Sequence, residues 1–360
     1  MKLFTAILII LLITISLLVN GCRPPELEQA IIDYNGGRFD NAFNLVLTAT
    51  EKHPDNEEAW YYLGEIYGKK AQIKEMMESF EKSLSIAGTY QNEINNAKRV
   101  YHNRYFNDGV SAYNALVKIE DKNSDEAKNQ FDNVLSNFTK VNYIQNEYVT
   151  NRLIAVSYQF MGDDDNTLKY LNAAVEAAPD TATAYADLGY YYQRHQKFME
   201  AANQFKKGIE VDPDNSECLI RYAESLDMAN EQEAAIQAYK EAINASPGEK
   251  AIPFNLGLLY FKKANSLEGE DPERKNLLGE AITYFEKALE IDPEIKEIYD
   301  LLGTLYLQLK QFEKAKDLLE QGVERFPESA SVWQNLSYVY AQLGETKKAE
   351  EAFEKSKQLE

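Results

Sequence analysis

Two thiols, three imidazoles and one run of three carboxylates are the groups whose chemistry could matter most in this 360-residue chain. The thiols are Cys22 and Cys218, the imidazoles His53, His102 and His195, and the carboxylates Asp163, Asp164 and Asp165. A zinc site needs Cys, His or carboxylate ligands at short fixed spacings, and each histidine here stands apart from any such partner. A calcium loop needs alternating oxygen ligands, a central glycine and a distal glutamate, none of which accompanies the aspartate run. That run reads as a capped, solvated turn between two helices. The sequence contains no glycine loop leading into Lys and Ser or Thr, no serine elbow and no Cys–His pairing. The reading is therefore of a chain that is not an enzyme, with no catalytic residues, no metal and no cofactor. Cys218 is expected to be a half-buried structural residue, because a reactive thiol needs an activating partner.

Cys22 is different, because it directly follows Lys2 and the apolar stretch Leu3–Val19. About 17 apolar residues lie at the short limit for crossing a bilayer, so length alone leaves open a secretory signal or an uncleaved anchor. The exit residues Leu18, Val19, Asn20, Gly21 and Cys22 resemble a bacterial lipobox, with Asn20 the departure from its usual small or apolar choice. The resemblance implies that residues 1–21 are a lipoprotein signal peptide, that Cys22 carries acyl chains such as palmitate, and that residues 22–25 form the lipidated start and a short spacer. Several acyl chains anchor stably, since each buried methylene contributes about 0.8 kcal/mol. Arg23 stands where some bacteria read an aspartate as an inner-membrane signal, so the resemblance points to the outer membrane.

The net charge of −20 argues against nucleic-acid partners, which require clustered Lys and Arg to displace counterions. The acids alternate with lysines along helical faces, as on a solvated surface.

What must position any functional group is a repeat. Small residues recur every 34 residues at Ala155, Gly189, Ala223 and Gly257, each of the first three followed after 24 by Pro179, Pro213 or Pro247. After one step of 46 the marks return at Gly303 and Ser337, with Pro293 and Pro327. From Ala182 to Asn215, Tyr185, Leu188, Gly189 and Tyr192 follow helical spacing, a polar break intervenes, and Ala201, Phe205 and Gly208 mark a second helix ended by Pro213. Gly189 and Ala201 let the paired helices approach while Tyr192 and Phe205 fill the space beside them.

This unit resembles the tetratricopeptide repeat, carried also by Trp60, Leu63, Gly64, Tyr67 and Phe80; by Leu256, Gly257, Tyr260, Ala281, Phe285 and Pro293; and by Trp333, Leu336, Tyr340, Ala349 and Phe353. The resemblance implies an all-α fold, a right-handed superhelical solenoid of about nine helix-turn-helix repeats. Residues 26–147 form an N-terminal, partly degenerate set, and 148–360 a more regular array with an extended repeat at 250–295.

Two departures mark the array. Between Tyr90 and Glu147 the spacing lengthens, predicting a helix from about Glu93 to Val117. Between Gly257 and Ala281 it grows by 12 residues, which predicts about six more in each helix, with Asp271 as an N-cap before Pro272 and with Leu267, Leu277 and Leu278 zipping the extension together.

In the family the first helices line a concave face. Carried onto this sequence, the ligand-facing positions are Tyr61, Glu65, Arg152, Val156, Tyr190, Arg194, Ile220, Glu224, Phe254, Leu258, Phe261 and Tyr338. Phe254, Leu258 and Phe261 share one helical face and suit either a ligand or a neighbouring helix. The Lys and Asn pairs that clamp a terminal carboxylate in some relatives are missing, which argues against that ligand class. The function expected is a lipid-anchored scaffold or adaptor of the bacterial envelope, binding segments of other envelope proteins and no small-molecule substrate. Alternatives are an accessory of exopolysaccharide synthesis or export, or a pilus or secretin assembly pilot.

Overall fold

The computed structural model describes residues 23–267 and 272–360. The leader, Cys22 and the expected cap Asp271 lie outside them. Among the described residues there are eighteen helices and no strand. The chain divides into two compact units at Ala178 and Pro179.

The first unit holds four hairpins: α1 (Pro25–Asn35) with α2 (Phe39–Lys52), α3 (Glu57–Lys69) with α4 (Ile73–Ile86), α5 (Gln91–Leu116) with α6 (Asp125–Ile144), and α7 (Tyr148–Met161) with α8 (Asp164–Ala177). The second holds five: α9 (Ala182–Arg194) with α10 (Phe198–Val211), α11 (Ser216–Met228) with α12 (Gln232–Ala245), α13 (Ala251–Asn265) with α14 (Pro272–Ile291), α15 (Lys296–Gln308) with α16 (Phe312–Arg325), and α17 (Ala330–Gln342) with α18 (Thr346–Leu359). The all-α repeat fold read from the sequence is thus present in both units, with nine hairpins among the described residues.

The periodic small residue has a steric cause. A Cβ on Gly64 would lie 2.5 Å from the Phe80 ring, and one on Gly189 2.7 Å from Phe205. Gly109 faces Phe138 at 2.6 Å and Gly257 faces Phe285 at 2.8 Å in the same way. All four rings are fully buried, so these four hairpins close by laying a second-helix aromatic on a bare first-helix backbone.

Seven of the nine turns share one conformation. The residue before the second helix's N-cap has φ between 55° and 83°, at Gly37, Ala71, Gly162, Gln196, Asn230, Lys310 and Gly344. The next N–H then donates to the carbonyl five residues back, as in Lys197 to Tyr192 at 2.9 Å and Gln311 to Tyr306 at 2.8 Å. This satisfies a carbonyl that the ending helix leaves free. The two hairpins outside this set, α5–α6 and α13–α14, are the two the sequence marks as irregular.

In the first irregular hairpin α5 runs 26 residues, within two residues of the predicted start and one of the predicted end. Its N-terminal half buries Ile94 and Ala97 and sets Tyr101 against Gly68 of α3, while its C-terminal half carries Gly109 against α6. The second departs from expectation. Growth of about six residues in each helix was expected, yet α13 has 15 residues and α14 has 20. The insertion lengthens the second helix, because Leu277 and Leu278 on its first turns are buried in the core, with Leu267 packed beside it.

The expected spacer is structured as well. Arg23 grips Glu58 of α3 with Nε at 2.8 Å and Nη2 at 2.7 Å. Pro24 is buried and Pro25 already begins α1, where a proline's missing N–H costs nothing.

Candidate partner-binding face

All twelve positions named from the sequence fall on first helices: two each on α3, α7, α9 and α11, three on α13 and one on α17.

In the first unit, Tyr61 and Glu65 line a cavity of about 430 Å³ between α3 and α5, closed on the α5 side by Glu93, Asn96, Val100, Tyr101 and Arg104. Tyr61 stacks on Tyr90 with ring centres 4.4 Å apart. Glu65 Oε2 accepts a hydrogen bond from the Tyr34 hydroxyl at 2.8 Å. Burial first, and the Glu65 charge second, push the Tyr101 hydroxyl up to about 12. Tyr61 is raised by the same two causes, so both phenols stay protonated and neutral throughout the physiological range. Arg152 is exposed and Val156 half-buried on α7, outside the lining of this cavity.

The second unit uses its first-helix face differently. Tyr190 on α9 donates to Glu217 and accepts from Arg221 Nε at 3.1 Å. Arg221 pairs with Glu224 at 2.6 Å, and Glu224 accepts from Asn255 on α13 at 3.1 Å. A relay of polar contacts therefore ties α9 to α11 and α11 to α13. Lys262 adds an ion pair to Asp227 at 3.1 Å. Between α15 and α17, Asp300 accepts from Ser331 at 2.7 Å and Asn335 at 3.5 Å. Burial raises Asp300 from its ordinary value, partly offset by the Ser331 hydrogen bond.

Of the other expected positions, Phe254, Leu258, Phe261 and Ile220 are half-buried against the core of this unit. The Phe254 ring lies 5.8 Å from that of Phe285, so these side chains contribute to packing while keeping part of their surface open. Arg194 and Tyr338 are exposed, Tyr338 at 53 %. Cys218, expected half-buried, is fully buried under Gly208, where a Cβ would approach its sulfur to 2.6 Å. Burial pushes its thiol up to about 11. The aspartate run behaves as read: Asp163 caps α8 by accepting from the Asn166 N–H at 3.0 Å. Among the described residues no cluster of three His, Cys, Asp or Glu side chains is placed to hold a metal ion, and no helix is long and apolar enough to cross a membrane.

Residue-by-residue reading missed Glu93, Asn96, Tyr101, Arg221 and Asn255. A signal for some of them exists in the spacing. Tyr34–Glu65, Tyr190–Arg221, Glu224–Asn255 and Asp300–Ser331 are each 31 residues apart. Arg23–Glu58, Asp227–Lys262 and Asp300–Asn335 are each 35 apart. These are the 34-residue period less three and plus one, the offsets that, apart from Arg23 just before α1, face neighbouring first helices toward each other.

Tetratricopeptide repeat family models match residues 57–90, 186–250, 276–336 and 330–360. A protein prenyltransferase alpha subunit repeat also matches 39–69, across α2 and α3. The TPR repeat-containing protein MJ1428 of Methanocaldococcus jannaschii is 26 % identical over 284 residues, covering 76 % of this chain and 47 % of that one. The anaphase-promoting complex subunit cut9 of Schizosaccharomyces pombe is 25 % identical over 279 residues, covering 68 % and 42 %. The chain thus spans less than half the length of either relative. Among solved structures, a crystal structure of MamA protein is 20 % identical and covers 50 % of this chain and 92 % of its own, with a TM-score of 0.43. With four regions matching the same repeat and seven of the nine hairpins among the described residues sharing one turn, the chain belongs to the tetratricopeptide repeat family.

Proposed function

We propose that this chain is a non-catalytic interaction scaffold which holds segments of partner proteins on its first-helix face, and that acyl chains on Cys22 carry it at the bacterial envelope. The observation that supports the scaffold reading is the α3–α5 cavity. It is open, lined by aromatic and charged side chains, and its exposed Val100 has no partner in the hairpin core. The anchor reading rests on the apolar leader running into Cys22, and the outer membrane is its expected destination.

A photo-crosslinking residue at Val100 in the full chain, expressed in its own cell, tests the scaffold. Discrete protein adducts are expected there, and none from the same residue at exposed Glu354. Equal labelling at both positions would count against the scaffold. Cys22→Ser tests the anchor: incorporation of labelled palmitate should vanish, and persistence of the label removes the lipid assignment.

A further inference from the structure

We propose that the α3–α5 cavity seats a lysine or arginine side chain of a partner's extended segment; this rests on the scaffold reading and specifies its ligand. The argument begins with two carboxylates. Glu65 gives Oε2 to Tyr34, while its Oε1 and both Glu93 oxygens accept no hydrogen bond and no ion pair among the described residues. An acid in this position elsewhere in the chain is treated otherwise. Glu224, which follows its repeat's small residue as Glu65 follows Gly64, is matched by Arg221 and Asn255. The second unit therefore supplies its own cation, and the first leaves that place open.

Tyr61 and Tyr101 wall the cavity with neutral phenols, which leaves the half-buried Glu65 and the exposed Glu93 as the carboxylates to which an incoming cation can donate a charge-assisted hydrogen bond. The cavity's volume of about 430 Å³ falls within the range of small-ligand pockets and leaves room for one long side chain.

The basic lining residues sit at the other end. Because α3 and α5 lie side by side, with Tyr61 against Tyr90 and Gly68 against Tyr101, Glu65 and Glu93 precede Lys69 and Arg104 along the cavity. At about 1.5 Å per helical residue the acidic and basic ends are roughly 6 to 16 Å apart. An extended chain covers that in about two to five residues. The fitting segment thus carries its Lys or Arg at the acidic end and has room for an Asp or Glu two to five residues away.

The test is selection of phage-displayed random dodecapeptides on the full chain, extracted in detergent and immobilised. Lys and Arg should be enriched at least twofold over the input library, and the enrichment should disappear with Glu65→Gln plus Glu93→Gln. The best synthetic peptide should bind the double variant about five- to tenfold more weakly, as expected for a partly exposed pair. Should the double variant fold poorly, Asn96→Lys serves instead, placing a cation in the cavity that should repel the same peptide. Enriched peptides without basic residues, or basic peptides indifferent to these variants, overturn the inference and leave the scaffold standing. Recovery of no peptide at all overturns both.

Discussion

The indole Nε1 of Trp333 donates to the carbonyl of Pro327 at 3.0 Å. The same link recurs between Trp60 and Pro54 at 3.0 Å, and through a phenol between Tyr185 and Pro179 at 3.0 Å and Tyr299 and Pro293 at 3.1 Å. The aromatic and the proline are six residues apart each time, so the group that stops one hairpin is tied to the helix that starts the next. Trp333→Phe keeps most of the apolar contact and loses the donor. It should lower stability by about 1 kcal/mol, read as a shift of the urea midpoint with an unchanged slope, and Tyr299→Phe should do likewise.

Four turns place a non-glycine residue in the left-handed region. Ala71 at φ 60° and Lys310 at φ 55° carry a Cβ that this conformation disfavours by about 1–2 kcal/mol, against a glycine entropy cost of about 0.5–1 kcal/mol. Ala71→Gly and Lys310→Gly should therefore raise the melting temperature. Gly344→Ala, at φ 78°, should lower it.

Gly189→Ala drives a methyl to 2.7 Å from the buried Phe205 ring and should cost about 1–3 kcal/mol. Adding Phe205→Leu frees space, so the two changes together should cost less than the sum of their separate losses. Strict additivity in chemical denaturation would show that the ring does not oppose the methyl.

Asp300 gives a pH signature. Burial raises its folded-state pKa above the unfolded value of about 3.9. In that window the native state binds more protons than the unfolded one, so stability falls as pH rises from the unfolded pKa through the folded one. Asp300→Asn should flatten this slope and stabilise the chain at neutral pH, since the amide oxygen can still accept from Ser331. A steeper acid-side slope in the variant would contradict the assignment.

Much of the fold was legible because its rules are steric. A glycine facing Phe80 or Phe205 and a proline after six of the nine second helices leave marks that spacing reveals, and α5 could be placed to within two residues. The division of an insertion was not legible. Spacing fixes the distance from Gly257 to Ala281 without saying which helix grows, and only the burial of Leu277 and Leu278 assigns it to α14. Cys218 misled because its burial depends on Gly208 in the preceding helix, a contact between elements. For the same reason the sequence located the first-helix positions yet could not distinguish Glu65, without an internal cation, from Glu224, which has one.

The pairing of first helices at 31 and 35 residues also bears on how such a chain can change over generations. One residue added to a turn between α9 and α11 would rotate Arg221 away from Tyr190, and one added between α11 and α13 would rotate Asn255 away from Glu224. Duplication or excision of a complete 34-residue block returns every donor to an equivalent acceptor. Lengths in the descendants of this chain should accordingly vary by whole hairpins, and smaller insertions should survive mainly where no such pair crosses, as between α13 and α15.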